Sequence, residues 1–468
     1  MKNNSTSKGV ILLVSPLLTG GTRRYILDIL EAYKEEYIII LFEYRDAIAR
    51  VSLHFKNYDV RTYEFMHDRS YIFLNRICKD LPIEVIHLNH LIHMDDELRS
   101  FFINTSKRWI ITLHDYYTIC PRINMYTNHG FCNNLDVEKC FICLRKDSYI
   151  KDIKKWRSTN REILNHADRV ICPSDDMKKR LQCVFGDLKV DVVENPEVCD
   201  YDAASMLEVL NQQKTKGNDN RIGILGMLDE KKGSEILLSV CQYCLANKMN
   251  YQFILFGELL PHTRRIPANL QVTGRYKEKD IIGMIAKKQI DYFWFPARCP
   301  ETYSYTLSIP IRCHIPVIAT DLGAIGERIQ KHGWGMVYPY DSPISDIVKQ
   351  FYAMNLTSIK KNGDFTLHNV KVPSVQKLYG IKVDKNHFID FESVANYLQT
   401  IFDNAAVTHH KKMSLFECLW SYKHLCGIHK YMNFFFLDVH RIFKEVYSKS
   451  WNDLRSALVS WILVLGKR

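Results

Sequence analysis

Val10-Ile11-Leu12-Leu13-Val14, closed by Ser15-Pro16 and followed two residues later by Thr19-Gly20-Gly21-Thr22, decides the fold. Five apolar residues in a row describe a strand buried on both faces, because a half-wet strand would alternate. Past the glycines, Tyr25, Ile26, Ile29, Leu30 and Tyr33 recur at helical spacing. Strand, glycine loop, helix is the unit of a crossover connection, and a series of such units predicts a parallel sheet. Further strand-like runs at 37–42, 85–88, 109–113, 169–172 and 190–193 supply the series, which closes at Asn195-Pro196. After a polar stretch at about 200–220, a second series begins, with strand-like runs at 222–226, 251–256, 270–272, 291–295 and 316–319. The expectation is an α/β chain of two doubly wound lobes joined near residue 200. A ligand crevice lies between them at the carboxyl ends of the strands.

Outside these series the pattern weakens. Residues from about 340 to 385 are poorly periodic, and 391–402 resembles a closing helix. The expected organisation is therefore a first lobe at 1–200 with an insertion at 116–147, a second lobe at 201–402, and a tail at 403–468. That tail is aromatic (Phe416, Trp420, Phe434, Phe436, Trp451, Trp461), basic and helical in pattern.

Composition narrows the function classes. With 47% hydrophobic and 25% charged residues, the 468-residue chain is neither disordered nor collagen-like. No run of 18 apolar residues occurs, so no bilayer-spanning helix is expected, and the N-terminus does not read as a signal peptide. The expected location is cytoplasmic. Net charge is +11, and from Val407 onward ten Lys/Arg stand against four Asp/Glu. Such an excess suits anionic partners: phosphorylated small molecules, a membrane surface or nucleic acid. No nucleic-acid module is recognisable, so nucleic acid is not expected as a partner. Basic residues among Trp and Phe in the tail suit a headgroup interface, which points to peripheral association with the inner membrane face.

Four stretches carry candidate chemistry. Gly20-Gly21 sits where a helix N-terminus offers free N–H groups and a positive dipole end to a phosphate, although neither GxGxxG nor a P-loop is present. His114, in Thr112-Leu113-His114-Asp115, stands at the end of a strand, where it can bond a sugar hydroxyl; the alternative is a histidine satisfied by Asp115. Lys232-Gly233 combines a point charge with amides at a helix start, which is either a diphosphate clamp or a solvated basic turn. Most informative is Pro300-Glu301-Thr302-Tyr303-Ser304-Tyr305-Thr306. Its carboxylate suits sugar hydroxyls, and the hydroxyls and amides at Ser304 and Thr306 suit phosphate oxygens. Pro310 is tolerable if the helix starts near Thr306.

Cys120, Cys132, Cys140 and Cys143 cluster in the insertion, near His129, ending in a CxxC pair. Four thiolates suit a tetrahedral structural zinc; reduced thiols and disulfides are the other readings. His87, His90 and His93 read as rim histidines rather than a metal trio.

The succession of GG loop, HDYY, CPR, CPS, KG, GRY, PETYSYTLS and PVIATDLGAIGER over residues 8 to 402 resembles the family 4 glycosyltransferases of the GT-B fold, and most of all members that build bacterial surface polysaccharides such as O-antigen or capsule. The resemblance implies a retaining transferase that moves a hexosyl or deoxyhexosyl group from a UDP-, GDP- or dTDP-linked sugar to a glycan or lipid-linked acceptor, with no catalytic metal. It implies that Gly21 lies near the donor diphosphate, His114 near the transferred sugar and Glu301 against that sugar. Lys232 would bind the diphosphate, and Tyr305 and Thr306 would line its pocket. Two positions depart from the family: Met227 stands where an arginine is usual, and Ile309 where a second glutamate holds the ribose. Those departures motivate an alternative, a non-catalytic GT-B subunit that binds a glycan or scaffolds a partner.

Overall fold

The strand Val10–Pro16 (β1) is buried along its whole length and runs through the middle of an eight-stranded sheet. The structure is a computed structural model that describes residues 6–46, 48–127, 130–145, 152–198, 220–260, 265–356, 370–381 and 388–407. The other strands of this sheet are Ile38–Arg45 (β2), Ile48–His54 (β3), Arg61–Met66 (β4), Ile83–Leu88 (β5), Trp109–Thr112 (β6), Arg169–Cys172 (β7) and Val190–Val192 (β8). Their order is β8-β7-β6-β5-β1-β2-β3-β4. Pairing is parallel from β8 to β2; β3 and β4 then add an antiparallel edge. Neither β3 nor β4 is expected from the sequence, because neither is a continuous apolar run. β4 instead alternates half-buried and exposed residues, as a one-sided strand does.

A second sheet contains Asn220–Leu225 (β9), Tyr251–Phe256 (β10), Leu270–Val272 (β11), Tyr292–Phe295 (β12), Val317–Thr320 (β13) and Gly335–Tyr338 (β14). All its pairs are parallel, in the order β11-β10-β9-β12-β13-β14. Successive residues of one strand feed two different cores. Trp294, Leu255 and Ile318 join one apolar cluster, while Phe293, Phe295, Phe256 and Val317 join the other. A sheet covered on both faces requires this period of two.

Both sheets reverse their winding once. In the first the reversal lies between β1 and β5, in the second between β9 and β12. Loops leaving the carboxyl ends of strands on either side of such a reversal splay apart and leave a crevice for a ligand.

Five helices carry the site: Gly20–Tyr33 (α1), Asp175–Phe185 (α2), Ser234–Ala246 (α3), Tyr305–Arg312 (α4) and Gly323–His332 (α5). The poorly periodic stretch from about 340 to 385 contains a helix at Ile344–Leu356 and a short one at Val375–Tyr379. Tyr379 is fully buried in the first-lobe core against Tyr33 and His87, so the chain crosses back there. Tertiary contacts group the chain through Tyr397 into one unit and Leu398 onward into another. The polar stretch near 200–220 and the tail from 408 lie outside the described residues. Among the described residues no helix is long and apolar enough to cross a membrane.

Candidate functional site

Two loops flank the reversal of the second sheet, and both carry sequence candidates. The loop after β9 turns on Asp229, whose side chain accepts the Lys232 N–H at 2.9 Å while its carbonyl accepts the Ser234 N–H at 2.9 Å. Gly233 then opens α3 with φ of 91°, and a Cβ there would stand 2.1 Å from the Pro296 carbonyl oxygen. Only glycine permits both the left-handed backbone and the close approach. The loop after β12 is tied alongside by the Arg298 N–H, which donates to the Lys231 carbonyl at 2.7 Å.

These two loops bring Lys232 Nζ to 3.3 Å from Glu301 Oε1. The pair is separated by 69 positions in sequence and meets only because β9 and β12 are neighbours. Glu301 raises the pKa of the Lys232 ammonium, which outweighs partial burial, so the lysine stays charged. Glu301 is itself fixed from behind: its carbonyl accepts the Ala324 N–H at 2.8 Å and its backbone bridges to Gly323. A Cβ on Gly323 (φ 65°) would meet the Glu301 carbonyl oxygen at 2.6 Å.

Past Glu301 the chain enters α4 through Ser304, held at φ of 69° with no side-chain cap on the helix. Ser304 Oγ lies 3.1 Å from Thr306 Oγ1. A helix start with uncapped amides, one residue after a kinked serine, suits an anion. The helix begins at Tyr305, and Pro310 lies inside it. The Tyr305 hydroxyl turns inward: burial and then the nearby Asp28 push its pKa well above 10.

The first lobe contributes the opposite wall. α1 begins at Gly20 with no side-chain cap from Thr19, and a Cβ on Gly20 or Gly21 would meet nothing within 4 Å. His114 follows β6, with its ring 4.7 Å from that of Tyr25 and its Nε2 3.4 Å from Asn89 Oδ1. The expected partner, Asp115, is engaged by His90 at 2.7 Å instead. Burial, followed by the neighbouring His90, pushes the His114 pKa down to about 3, so the imidazole is neutral at physiological pH. His87 is wholly buried, bonded to Thr112 Oγ1 at 2.8 Å, and is a core residue rather than a rim one.

The two walls touch beside the candidate residues. Thr302 Oγ1 donates to the His114 carbonyl at 2.5 Å, so the residue next to Glu301 is bonded to His114 itself. On another side, a groove of about 620 Å³ between α2 and α5 is lined by residues including Asp175, Arg180, Gly323 and Lys331. There Glu327 accepts the Asp175 and Asp176 N–H groups at 3.1 and 2.7 Å, so a second-lobe carboxylate caps a first-lobe helix.

The two family departures occupy different environments. Met227 is 52% exposed, beside the crevice loop. Ile309 is 6% exposed and belongs to an apolar cluster with Leu225, Ile281 and Phe295, a place that would not tolerate an unpaired carboxylate.

Cys120, Cys132, Cys140 and Cys143 do line one small cavity of about 20 Å³. Cys132 and Cys140 direct their thiols at the same Asn134 carbonyl, at 3.4 and 3.8 Å, and Arg157 donates to Cys140 Sγ at 3.3 Å. All four are free thiols, and burial raises Cys120 to about 11. Among the described residues no three His, Cys, Asp or Glu side chains converge where a metal ion could be held, so the expected zinc has no ligand set here. His129 lies outside the described residues. The insertion reaches the second lobe: the Tyr126 hydroxyl donates to Glu230 at 3.1 Å, and Phe131 packs 5.7 Å from Tyr340.

Sequence reasoning missed Glu197, Asn89 and Tyr25. The first followed Asn195-Pro196 as one more acidic residue at a lobe boundary. Nothing in its spacing told that it would be buried.

Residues 19–196 match the model of Glycosyltransferase Family 4. No curated protein matches the sequence. Among solved structures, sucrose-phosphate synthase from Thermosynechococcus elongatus superposes with a TM-score of 0.51 at 13% identity, covering 86% of this chain and 100% of that one. Anabaena HepE in complex with UDP gives 0.48 at 13% identity, covering 84% and 100%. The apo lipopolysaccharide outer core galactosyltransferase WaaB gives 0.47 at 13%, covering 73% and 89%.

Proposed function

From the match of residues 19–196 to the glycosyltransferase family 4 model and from the GT-B fold, we propose that this chain transfers a sugar, with retention, from a nucleotide-sugar donor to a glycan or lipid-linked glycan acceptor in the building of a surface polysaccharide. The observation that carries this reading is the meeting of Lys232 and Glu301 at 3.3 Å, at the winding reversal of the second sheet. A cation for a pyrophosphate and a carboxylate for sugar hydroxyls stand side by side, where a glycosyl diphosphate presents those two groups.

In the proposed reaction the bond from the anomeric carbon to the diphosphate oxygen breaks, and one to the acceptor oxygen forms on the same face. Negative charge grows on the leaving diphosphate. Lys232 and the uncapped amides of α4 stabilise it, aided by Gly233 at the start of α3 and by Gly20-Gly21 at the start of α1. The acceptor proton passes to the departing phosphate oxygen, so no protein nucleophile or general base is required. Glu301 accepts hydroxyls of the transferred sugar. His114, neutral and steadied by Asn89 and Tyr25, offers a hydrogen bond rather than a charge. The Thr302 bond to His114 keeps these two residues in register as water is excluded. Acceptors carried on a lipid would place the enzyme peripherally at the inner membrane face.

A second reading, a non-catalytic GT-B subunit, is favoured by Met227 in the crevice loop and by the apolar burial of Ile309. Slow donor hydrolysis separates the two. With a panel of UDP-, GDP- and dTDP-sugars, a transferase releases nucleoside diphosphate from at least one, and Glu301→Ala abolishes the release. If no sugar nucleotide is bound or hydrolysed, the binding-subunit reading stands in its place.

A further inference from the structure

The groups nearest the Glu301–Thr306 loop include one that comes from the segment between the two sheets. Glu197 follows the last strand of the first series, in the two-residue strand Glu197–Val198, and it is 2% exposed. Its carboxylate accepts the Tyr303 hydroxyl at 2.5 Å, the Ser308 hydroxyl at 2.5 Å and Arg312 Nη2 at 2.5 Å, with Arg328 Nη2 at 3.6 Å. Arg328 extends the network outward by donating to the carbonyls of Tyr303 and Ser304 at 3.2 and 3.0 Å and to Ser308 Oγ at 3.0 Å. Its guanidinium also lies 4.4 Å from the Tyr303 ring centroid.

We infer that Glu197 is a positioning residue for the donor diphosphate: it fixes the entry and the first turn of α4, and so aims the amides around Ser304 to Thr306. The inference rests on the donor reading above and deepens it. Three features support it. Ser304 sits in a left-handed conformation that a serine adopts at a cost, so something must hold it. The bonds that hold it, from Arg328 to the Tyr303 and Ser304 carbonyls, come from a guanidinium that shares Glu197 with Arg312. Finally, a buried carboxylate facing two guanidiniums is costly to desolvate, and it survives where it specifies a geometry that apolar packing would leave loose. Because Glu197 arrives from the segment between the two sheets, it also makes the donor loop responsive to how that segment is seated.

The test compares wild type with Glu197→Gln, Glu197→Asp and Tyr303→Phe. Affinity for UDP, GDP and dTDP is measured by calorimetry alongside the melting temperature. Expected is about a tenfold or greater loss of affinity in Glu197→Gln for whichever nucleotide the wild type binds. Glu197→Asp should lose less than Glu197→Gln because it keeps the charge. Tyr303→Phe, which keeps the buried ion pair and so the fold, should lose affinity too. A lowered melting temperature with unchanged affinity in both Glu197→Gln and Tyr303→Phe would reduce Glu197 to a structural role and overturn the inference. If Glu197→Gln does not fold, Tyr303→Phe alone decides between these outcomes. A wild type that binds none of the three nucleotides would instead retire the donor reading, and the positioning role with it.

Discussion

Lys232 and Glu301 form an ion pair that the proposed reaction would exchange for contacts with the donor. At 3.3 Å, with the lysine side chain 44% exposed, the pair adds little to stability, since a partly solvated ion pair contributes on the order of 0–1 kcal/mol. In the proposed reaction that exposure lets the lysine turn to the donor diphosphate and the carboxylate to the transferred sugar. His114 and His87 behave differently. Both have pKa values pushed down to about 3 by burial, against 6.5 for an ordinary histidine. A histidine that is neutral when folded binds a proton only on unfolding, so its share of stability is present above pH 6.5 and is lost as pH falls toward 3. Asp28 works in the opposite sense. Burial raises it to about 6, so its share is present below pH 4 and fades as pH rises through 6. For the wholly buried His87 the penalty at pH 5 is about 2 kcal/mol. The melting temperature should therefore drop between pH 7 and pH 5, and the drop should be smaller in His87→Gln; equal drops would refute the assignment. Activity should show no inflection from His114 between pH 5 and 8.

At the scale of elements, the site depends on glycines that let loops pass close together. Gly233→Ala would put a methyl 2.1 Å from the Pro296 carbonyl and force a strained φ. The expected cost is about 2 kcal/mol or more, read as a lower melting temperature, with weakened nucleotide binding because the Lys232 loop must shift. Much of this was legible in the chain. Continuous apolar runs such as Val10–Val14 announced parallel strands, and each candidate loop was found because it followed such a run. Harder to see were the antiparallel strands Ile48–His54, where Arg50, Ser52 and His54 interrupt the apolar residues, and Arg61–Met66, whose residues alternate between half-buried and exposed. The helix Ile344–Leu356 was also missed, although Ile347, Val348 and Phe351 are buried at helical spacing. Polar neighbours diluted the signal. Glu197 was invisible for another reason: a buried carboxylate is defined by partners more than one hundred positions away, Tyr303, Ser308 and Arg312, and no local pattern encodes them. The four cysteines show the converse. Their spacing suggests zinc, and they do line one cavity, but the thiols of Cys132 and Cys140 are directed at the Asn134 carbonyl, with Arg157 on Cys140, and among the described residues no metal-binding group forms.

For the whole molecule, two doubly wound sheets turn the loops at their reversals toward each other. Small polar links then bridge them: Thr302 to the His114 carbonyl, Tyr126 to Glu230, and Glu327 to the start of α2. Arg24, on α1, reaches Glu278 and the Val198 carbonyl in the same way. Hydrogen bonds of this kind, each worth about 1 kcal/mol, fix a relative position without making it irreversible. That is what a crevice needs if it must open to release a nucleotide and close over the next donor. The most direct measurement of the central claim is titration calorimetry of UDP, GDP and dTDP against wild type and Lys232→Ala. One nucleotide should bind the wild type, and its affinity should fall by about tenfold or more in the variant, as expected when a charge-assisted contact to phosphate is removed. Equal affinity in both proteins would contradict a diphosphate held at Lys232.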